Sequence, residues 1–148
     1  MMDIKNFLSA EEKKKVVNAI KAAEQNTSGE IRVHLENHCR EDVLDHAAYI
    51  FDQLEMHKTK QRNGVLFYLA VQDHQLAILG DAGINKVVPA GFWDEVRDTM
   101  INHFKEDKYA DGLVAGLHMA GEQLGAHFPY SQKDDKNELE DDISFGKS

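Results

Sequence analysis

The fold is decided by residues 65–79, which read VLFYLAVQDHQLAIL. The first seven residues are all apolar, a pattern typical of a central β-strand that is covered on both faces. Residues 72–74 are polar and few enough for a tight turn, and residues 75–79 are mostly apolar again. The stretch therefore predicts a β-hairpin, in which the second strand runs antiparallel to the first.

A further strand is predicted upstream of the hairpin, over residues 30–36, where apolar and polar side chains alternate. Ile31, Val33 and Leu35 would face the core. The apolar residues between 41 and 56 recur at helical spacing, so a helix is expected to connect this strand to the hairpin. Two strands joined by a helix run parallel, and the connection is right-handed.

Three other helices are predicted outside this unit. Ser9 and Glu12 form a capping box at the start of a helix over residues 9–25. Pro89 suits the first turn of the next helix, and the last helix, over about 109–126, carries small residues that allow close packing. The order α-β-α-β-β-α-α predicts an α/β protein, a three-layer α/β/α sandwich with a small mixed sheet and helices on both faces.

Length and composition suit one globular domain. The chain has 148 residues, of which 42% are hydrophobic and 29% are charged. We expect the domain core to span residues 7–128. Residues 129–148 are polar and acidic, so they are expected to form an extended or partly disordered tail.

Charge and cysteine content exclude several classes of function. The net charge of −9 argues against binding of nucleic acid or of an anionic membrane surface. Cys39 is the only cysteine, which excludes an internal disulfide and a thiolate metal cluster. The sequence contains neither a membrane-length apolar run nor a hydrophobic signal core, so we expect a cytoplasmic protein without membrane insertion.

Three short polar segments border the predicted strands: TSGE at 27–30, RNG at 62–64 and GDAG at 80–83. The strand directions place the starts of the first two strands and the end of the third at one rim of the sheet. We therefore expect Glu30, Asn63 and Asp81 to lie around one cleft.

Each of these residues has two interpretations. Asp81 lies among glycines that permit positive φ angles and close backbone approach, which suits a hard-cation site, but it could instead form an Asx turn. Glu30 is either a second carboxylate of that site or the partner of a nearby lysine or arginine in a salt bridge. Asn63 could add a neutral oxygen or shape the turn before Gly64.

Other catalytic and metal motifs are missing. His34 and His38 are separated by about 13 Å if they lie in a strand, too far to share one zinc ion, and most of the eight histidines are expected at the surface. The sequence has no His-Glu-x-x-His, Gly-x-Ser-x-Gly or phosphate-binding loop motif. Catalytic residues are therefore left unassigned.

Several strings together resemble the TPM domain family. They are TSGEIRV (27–33), KT (58–59), RNGVL (62–66), ILGDAGI (78–84), FP (128–129) and NEL (137–139). The resemblance covers about residues 7–143 and implies a fold similar to the predicted sandwich. It also implies an acidic rim cleft that binds divalent cations in some members, and acid phosphatase activity and membrane-complex repair have been proposed for photosynthetic members.

By position, Glu30, Asn63 and Asp81 match the family's rim motifs, and Glu138 in the NEL string could lend a further oxygen. Unlike many relatives, the chain is expected to have neither a secretion signal nor a C-terminal membrane anchor. The resulting hypothesis is a domain that binds calcium or magnesium, the cations that oxygen ligands favour. The alternatives are a metal-assisted acid phosphatase and a non-catalytic protein-interaction module linked to membrane-complex maintenance.

Overall fold

The structure is a computed structural model that describes residues 3–130 and 143–146. Its helices are α1 (Ala10–Glu24), α2 (Val43–Gln53), α3 (Ala82–Asn85), α4 (Phe92–Phe104) and α5 (Tyr109–His127). Its strands are β1 (Glu30–Glu36), β2 (Gly64–Ala70), β3 (Gln75–Gly80) and β4 (Ile143–Phe145). None of the described helices is long and apolar enough to cross a membrane.

The strands form one mixed sheet in the order β3-β2-β1-β4. β1 pairs parallel with β2 and with β4, whereas β2 and β3 pair antiparallel. The predicted hairpin and the predicted parallel crossover through α2 are therefore confirmed. β4 was not predicted as part of the sheet; its three residues pair with residues 33–35 of β1. The intervening residues 131–142 lie outside the described part of the chain.

Helices cover both faces of this sheet, which confirms the predicted sandwich. The odd-numbered side chains of β1 and β2, such as Val33 and Phe67, belong to a core that also includes residues of α1, α4 and α5. On the opposite face, Leu66 and Tyr68 of β2 pack with Ala47 and Ile50 of α2. Each face therefore has its own hydrophobic core.

The polar face of β1 is more buried than its alternating pattern predicted. Arg32 is only 8% exposed and His34 only 5% exposed, although both point away from the apolar core of Ile31 and Val33. Parallel strands are usually covered on both faces, and here the α2 side covers the polar residues. The interior therefore contains side chains that sequence alternation alone assigns to the solvent.

The starts of α1 and α4 were both predicted from the sequence, with different outcomes. Ser9 Oγ accepts a hydrogen bond from Glu12 N and Ser9 N donates to Glu12 Oε1, so the capping box at the start of α1 is confirmed. α4 begins at Phe92 rather than near Pro89, because Gly91 takes a left-handed φ of 76° immediately before it. This backbone conformation favours glycine, and it is not helical, so the helix cannot begin before residue 92.

Candidate functional site

The three polar segments lie side by side at one rim of the sheet, as the strand directions predicted. Glu30 N donates to the Asn63 carbonyl oxygen at 3.4 Å, and Asp81 N donates to the Gly64 carbonyl oxygen at 2.9 Å. Glu30 is the register partner of Gly64 across β1 and β2. Asp81 flanks Gly64 on the other side, so the Cα atoms of Glu30 and Asp81 are separated by two strand spacings, about 10 Å.

The Asp81 carboxylate binds the Arg62 guanidinium through two hydrogen bonds. Arg62 Nε donates to Oδ2 at 2.7 Å, and Arg62 Nη2 donates to Oδ1 at 2.8 Å. The Asp81 side chain is 7% exposed, whereas that of Arg62 is 52% exposed. A buried carboxylate is thus covered by a cation that remains in contact with water.

Asp81 also caps α3, because its Oδ1 accepts a hydrogen bond from Ala82 N at 2.8 Å. Burial acts to raise the pKa of Asp81, but the hydrogen bonds from Arg62 and Ala82 outweigh it and lower the pKa. The same hydrogen bond with Asp81 raises the pKa of Arg62. The carboxylate is therefore ionised. Asp81 acts as a helix cap and ion-pair partner rather than in an Asx turn, because Gly83 N donates to the Arg62 carbonyl oxygen and not to the Asp81 side chain.

Gly83, two residues after Asp81, is required for close backbone approach rather than for a positive φ angle. Among the described glycines only Gly91 has a left-handed φ, so Gly80 and Gly83 do not use the positive φ angles that glycine permits. A Cβ atom on Gly83 would lie 2.6 Å from the Arg62 carbonyl oxygen. Residues 82–85 are helical, and Gly83 N donates to that carbonyl at 2.7 Å.

The other two rim residues, Asn63 and Glu30, are also buried. Asn63 is 1% exposed; its Nδ2 donates to Ser28 Oγ at 3.2 Å and its backbone N donates to Thr59 Oγ1 at 3.1 Å. Glu30 is 3% exposed. The Arg62 guanidinium, which was considered as a partner for Glu30, binds Asp81 instead.

Glu24 is a carboxylate near this rim that the sequence analysis missed. Its Oε2 accepts a hydrogen bond from Ile31 N at 2.7 Å, at the start of β1. The residue lies at the end of α1, where a glutamate carries no distinguishing pattern. Glu24 therefore provides an acceptor for the backbone N–H of Ile31, which lies before the part of β1 that pairs with β4.

The described rim brings two acidic side chains and one amide to the same edge of the sheet. Within residues 3–130 and 143–146, no three His, Cys, Asp or Glu side chains are placed to hold a metal ion. Glu138, the further ligand suggested by the resemblance, lies outside the described residues. Asp81, Glu30 and Asn63 carry oxygen donors, and this donor type fits calcium or magnesium.

A second polar cluster, centred on Glu36, lies at the opposite end of β1. Glu36 Oε1 lies 2.9 Å from His34 Nε2, and its Oε2 accepts the Tyr68 hydroxyl at 2.9 Å and lies 3.1 Å from His46 Nε2. Burial acts to raise the pKa of Glu36, but the hydrogen bonds with His34 and Tyr68 outweigh it and lower the pKa. Burial, followed by the bond to Glu36, raises the pKa of Tyr68.

This Glu36 cluster borders a cavity of about 850 Å³, which His46 and Tyr49 of α2 also line. Sequence analysis missed the cluster because its members come from β1, α2 and β2, and no spacing connects them. His38, which was considered together with His34, pairs with Asp73 instead, at 2.8 Å between Nδ1 and Oδ1. The two histidines therefore bind different carboxylates.

A mixed sheet between helices, with polar loops gathered at the start of its parallel strands, defines this chain as a small α/β sandwich domain. The family model of the TPM domain matches residues 1–123. The chain therefore belongs to the TPM domain family. A search of curated proteins found none that matches the chain.

Several solved structures are similar to the chain, and three of them are described here. The NMR structure of the BA42 protein from the psychrophilic bacterium Bizionia argentinensis is 49% identical, with a TM-score of 0.89 over 99% of this chain and 100% of that one. The N-terminal domain of a P. gingivalis protein is 22% identical, with a TM-score of 0.68 over 85% and 83% of the two chains. The N-terminal domain of the cg2496 protein from Corynebacterium glutamicum is 15% identical, with a TM-score of 0.60 over 84% and 78%. The last two likenesses support the fold alone.

Proposed function

We propose that the rim binds a divalent cation, calcium or magnesium, through the carboxylates of Asp81 and Glu30 and the amide oxygen of Asn63. The observation that carries this proposal is that Asp81 already binds a cationic group, the Arg62 guanidinium, with both of its oxygens. The pair of carboxylates and the amide are hard oxygen donors, which bind calcium and magnesium in preference to softer metals.

The charges at the rim favour an exchange of one cation for another. A buried, ionised carboxylate requires a positive partner, because an unpaired charge away from water is costly. Arg62 provides one positive charge at Asp81, and a divalent ion would provide two while also attracting Glu30. The Arg62 side chain is half exposed, so its guanidinium can be solvated once it leaves. Glu138 remains a further proposed ligand from outside the described residues.

Amide shifts during titration with magnesium or calcium would test this site. We expect shifts in residues 27–30, 62–64 and 80–84 of the wild type, and their loss in Asp81→Asn. Asp111→Asn is a matched control, because Asp111 pairs with Lys15 on the helical face away from the rim. Shifts confined to the acidic residues after 130, or shifts that Asp81→Asn retains at the rim, would contradict the proposal.

A metal-assisted acid phosphatase is the second candidate function. It is favoured by the guanidinium of Arg62 at the rim, since arginine forks bind phosphate oxygens. The bound ion would polarise a phosphoryl oxygen and activate a water molecule, while Asp81 or Glu30 handled the proton. Hydrolysis of a generic phosphate monoester in the presence of magnesium would support this function. Hydrolysis that persists in Asp81→Asn would assign the activity to another site or to a contaminant.

A further inference from the structure

We propose that the outer edge of β3 is an interface for a second copy of this chain, which adds its own β3 antiparallel and joins the two sheets into one. β3 is an end strand of the described sheet and pairs there with β2 alone. It has six residues, whereas β4 at the opposite end has three, and a very short end strand offers little to pair with. This inference is independent of the proposed cation site.

The outer edge of β3 carries backbone groups that are open to a further strand. Asp81 N donates to the Gly64 carbonyl oxygen, so the odd-numbered residues of β3 direct their N–H and C=O groups towards β2 in this antiparallel pair. The even-numbered residues Leu76 and Ile78 direct theirs outward. Within the described part of the chain, no hydrogen bond engages these outward groups.

This edge lacks the features by which natural proteins keep end strands from pairing. Residues 75–80 read QLAILG, without a charge, a proline or a break in the register that would mark a bulge. The flanking side chains are apolar and only partly buried: Leu79 belongs to the α2 side, and Ile78 and Trp93 belong to the α4 side. An added strand would therefore gain hydrogen bonds and apolar contacts together.

A second β3 fits this edge because the strand is self-complementary about Ala77. With Ala77 of the two copies opposite each other, Leu76 of each copy faces Ile78 of the other, and every outward N–H meets an outward C=O. Residues 75–79 contain no charge, so no like charges meet across the seam. Asn85 Nδ2 donates to the Gly80 carbonyl oxygen at 2.7 Å, which closes the edge beyond Ile78 and favours this register.

The charge of the chain makes the expected dimer weak and dependent on salt. Each copy has a formal net charge of −9, so two copies repel each other although the seam is uncharged. Salt screens this repulsion, over about 10 Å at 0.1 M. One added strand also belongs to the class of small, transient interfaces, below about 1,200 Å². The dimer should therefore strengthen as salt is added, whereas a basic strand from another protein would bind less tightly.

Hydrogen exchange and sedimentation of the full chain test the interface. We expect sedimentation to show a dimer that grows with protein concentration and with salt. The outward amides of Leu76 and Ile78 should become about fivefold better protected once the protein concentration is about ten times the dissociation constant. The amides of Ala77 and Leu79, which point towards β2, should not gain this protection. These wild-type data decide the matter without any variant.

Leu79→Lys tests the same edge by substitution, because lysine is a common guard of end strands. Leu44→Lys is the matched control, since Leu44 is 54% exposed on α2 and belongs to neither core. We expect Leu79→Lys to lose the dimer and Leu44→Lys to retain it, with amide spectra to verify that both fold. A wild type that stays monomeric at millimolar concentration and high salt would overturn the proposal. A dimer that leaves the Leu76 and Ile78 amides unprotected, or that weakens with salt, would overturn it as well.

Discussion

Arg62 donates two parallel hydrogen bonds to Asp81, at 2.7 and 2.8 Å, and thereby joins the loop before β2 to the turn after β3. The two residues are 19 positions apart in the sequence and meet because β2 and β3 form a hairpin. The pair has a structural effect, since it holds α3 against the loop. It also has an electrostatic effect, since it keeps a buried carboxylate ionised.

The structural effect of Asp81 can be separated into its cap and its charge. Asp81→Ala removes both the cap of α3 and the ion pair, whereas Asp81→Asn retains an oxygen that can accept from Ala82 N. We expect Asp81→Ala to be less stable than Asp81→Asn by about 1 kcal/mol, the usual value of an N-cap. Urea unfolding of the two variants measures this difference. Equal stability would show that the cap contributes nothing in so short a helix.

Stability should fall in acid because several carboxylates, including the partly buried Asp81 and Glu36, have lowered pKa values. The folded-state pKa of Asp81 and of Glu36 lies below the ordinary values of 3.8 and 4.5. The unfolded chain therefore binds more protons in this range, so stability is complete above about pH 4.5 and is lost as the pH falls through the folded-state values. Urea midpoints between pH 2 and pH 7 measure the slope. Glu36→Gln should flatten it, and an unchanged slope would contradict the role of Glu36.

Removal of the Tyr68 hydroxyl should destabilise the Glu36 cluster. Tyr68→Phe preserves the ring within the α2-side core but takes away one donor to a largely buried carboxylate. We expect a loss of about 1–3 kcal/mol of unfolding free energy, together with a rise in the pKa of Glu36. The carboxyl resonance of Glu36, followed by NMR through an acid titration, reports this pKa. A loss of stability without any movement of the pKa would indicate a packing effect only.

A methyl group on Gly83 should be tolerated poorly. Its Cβ would lie 2.6 Å from the Arg62 carbonyl oxygen and closer still to that of Gln61. We expect Gly83→Ala to lose about 1–3 kcal/mol, as overpacking usually costs. Gly125→Ala in α5 is the matched control, because the nearest atom to its Cβ would be 3.8 Å away. The control should be neutral or more stable by up to about 1 kcal/mol; thermal unfolding compares the two.

The main elements could be predicted because each carries a local signal. The apolar run of residues 65–71, the short turn after it and the alternation of residues 30–36 specify two parallel strands and a hairpin. Strand direction alone places Glu30, Asn63 and Asp81 at one rim of the sheet. Local pattern and topology together were therefore sufficient for the sandwich.

Other features could not be predicted because they depend on tertiary contacts. β4 contains only three residues within an acidic segment, and its pairing with β1 leaves no local pattern. α3 is a single helical turn, and the glycines around Asp81 made its sequence typical of a loop instead. The Glu36 cluster assembles side chains from three elements, and its burial contradicts the usual preference of histidine and glutamate for the surface. Sequence spacing reports neighbours along a helix or strand, and these partners are neighbours only in space.

The position of a bound ion tests the central claim most directly. A crystal structure of the protein soaked with calcium or with manganese, as a substitute for magnesium, would locate the ion by its anomalous scattering. We predict an ion within about 2.0–2.6 Å of oxygen atoms of Asp81 and Glu30, with the Arg62 guanidinium moved away from Asp81. An ion found elsewhere, with the Arg62 and Asp81 hydrogen bonds intact at saturating metal, would contradict the account.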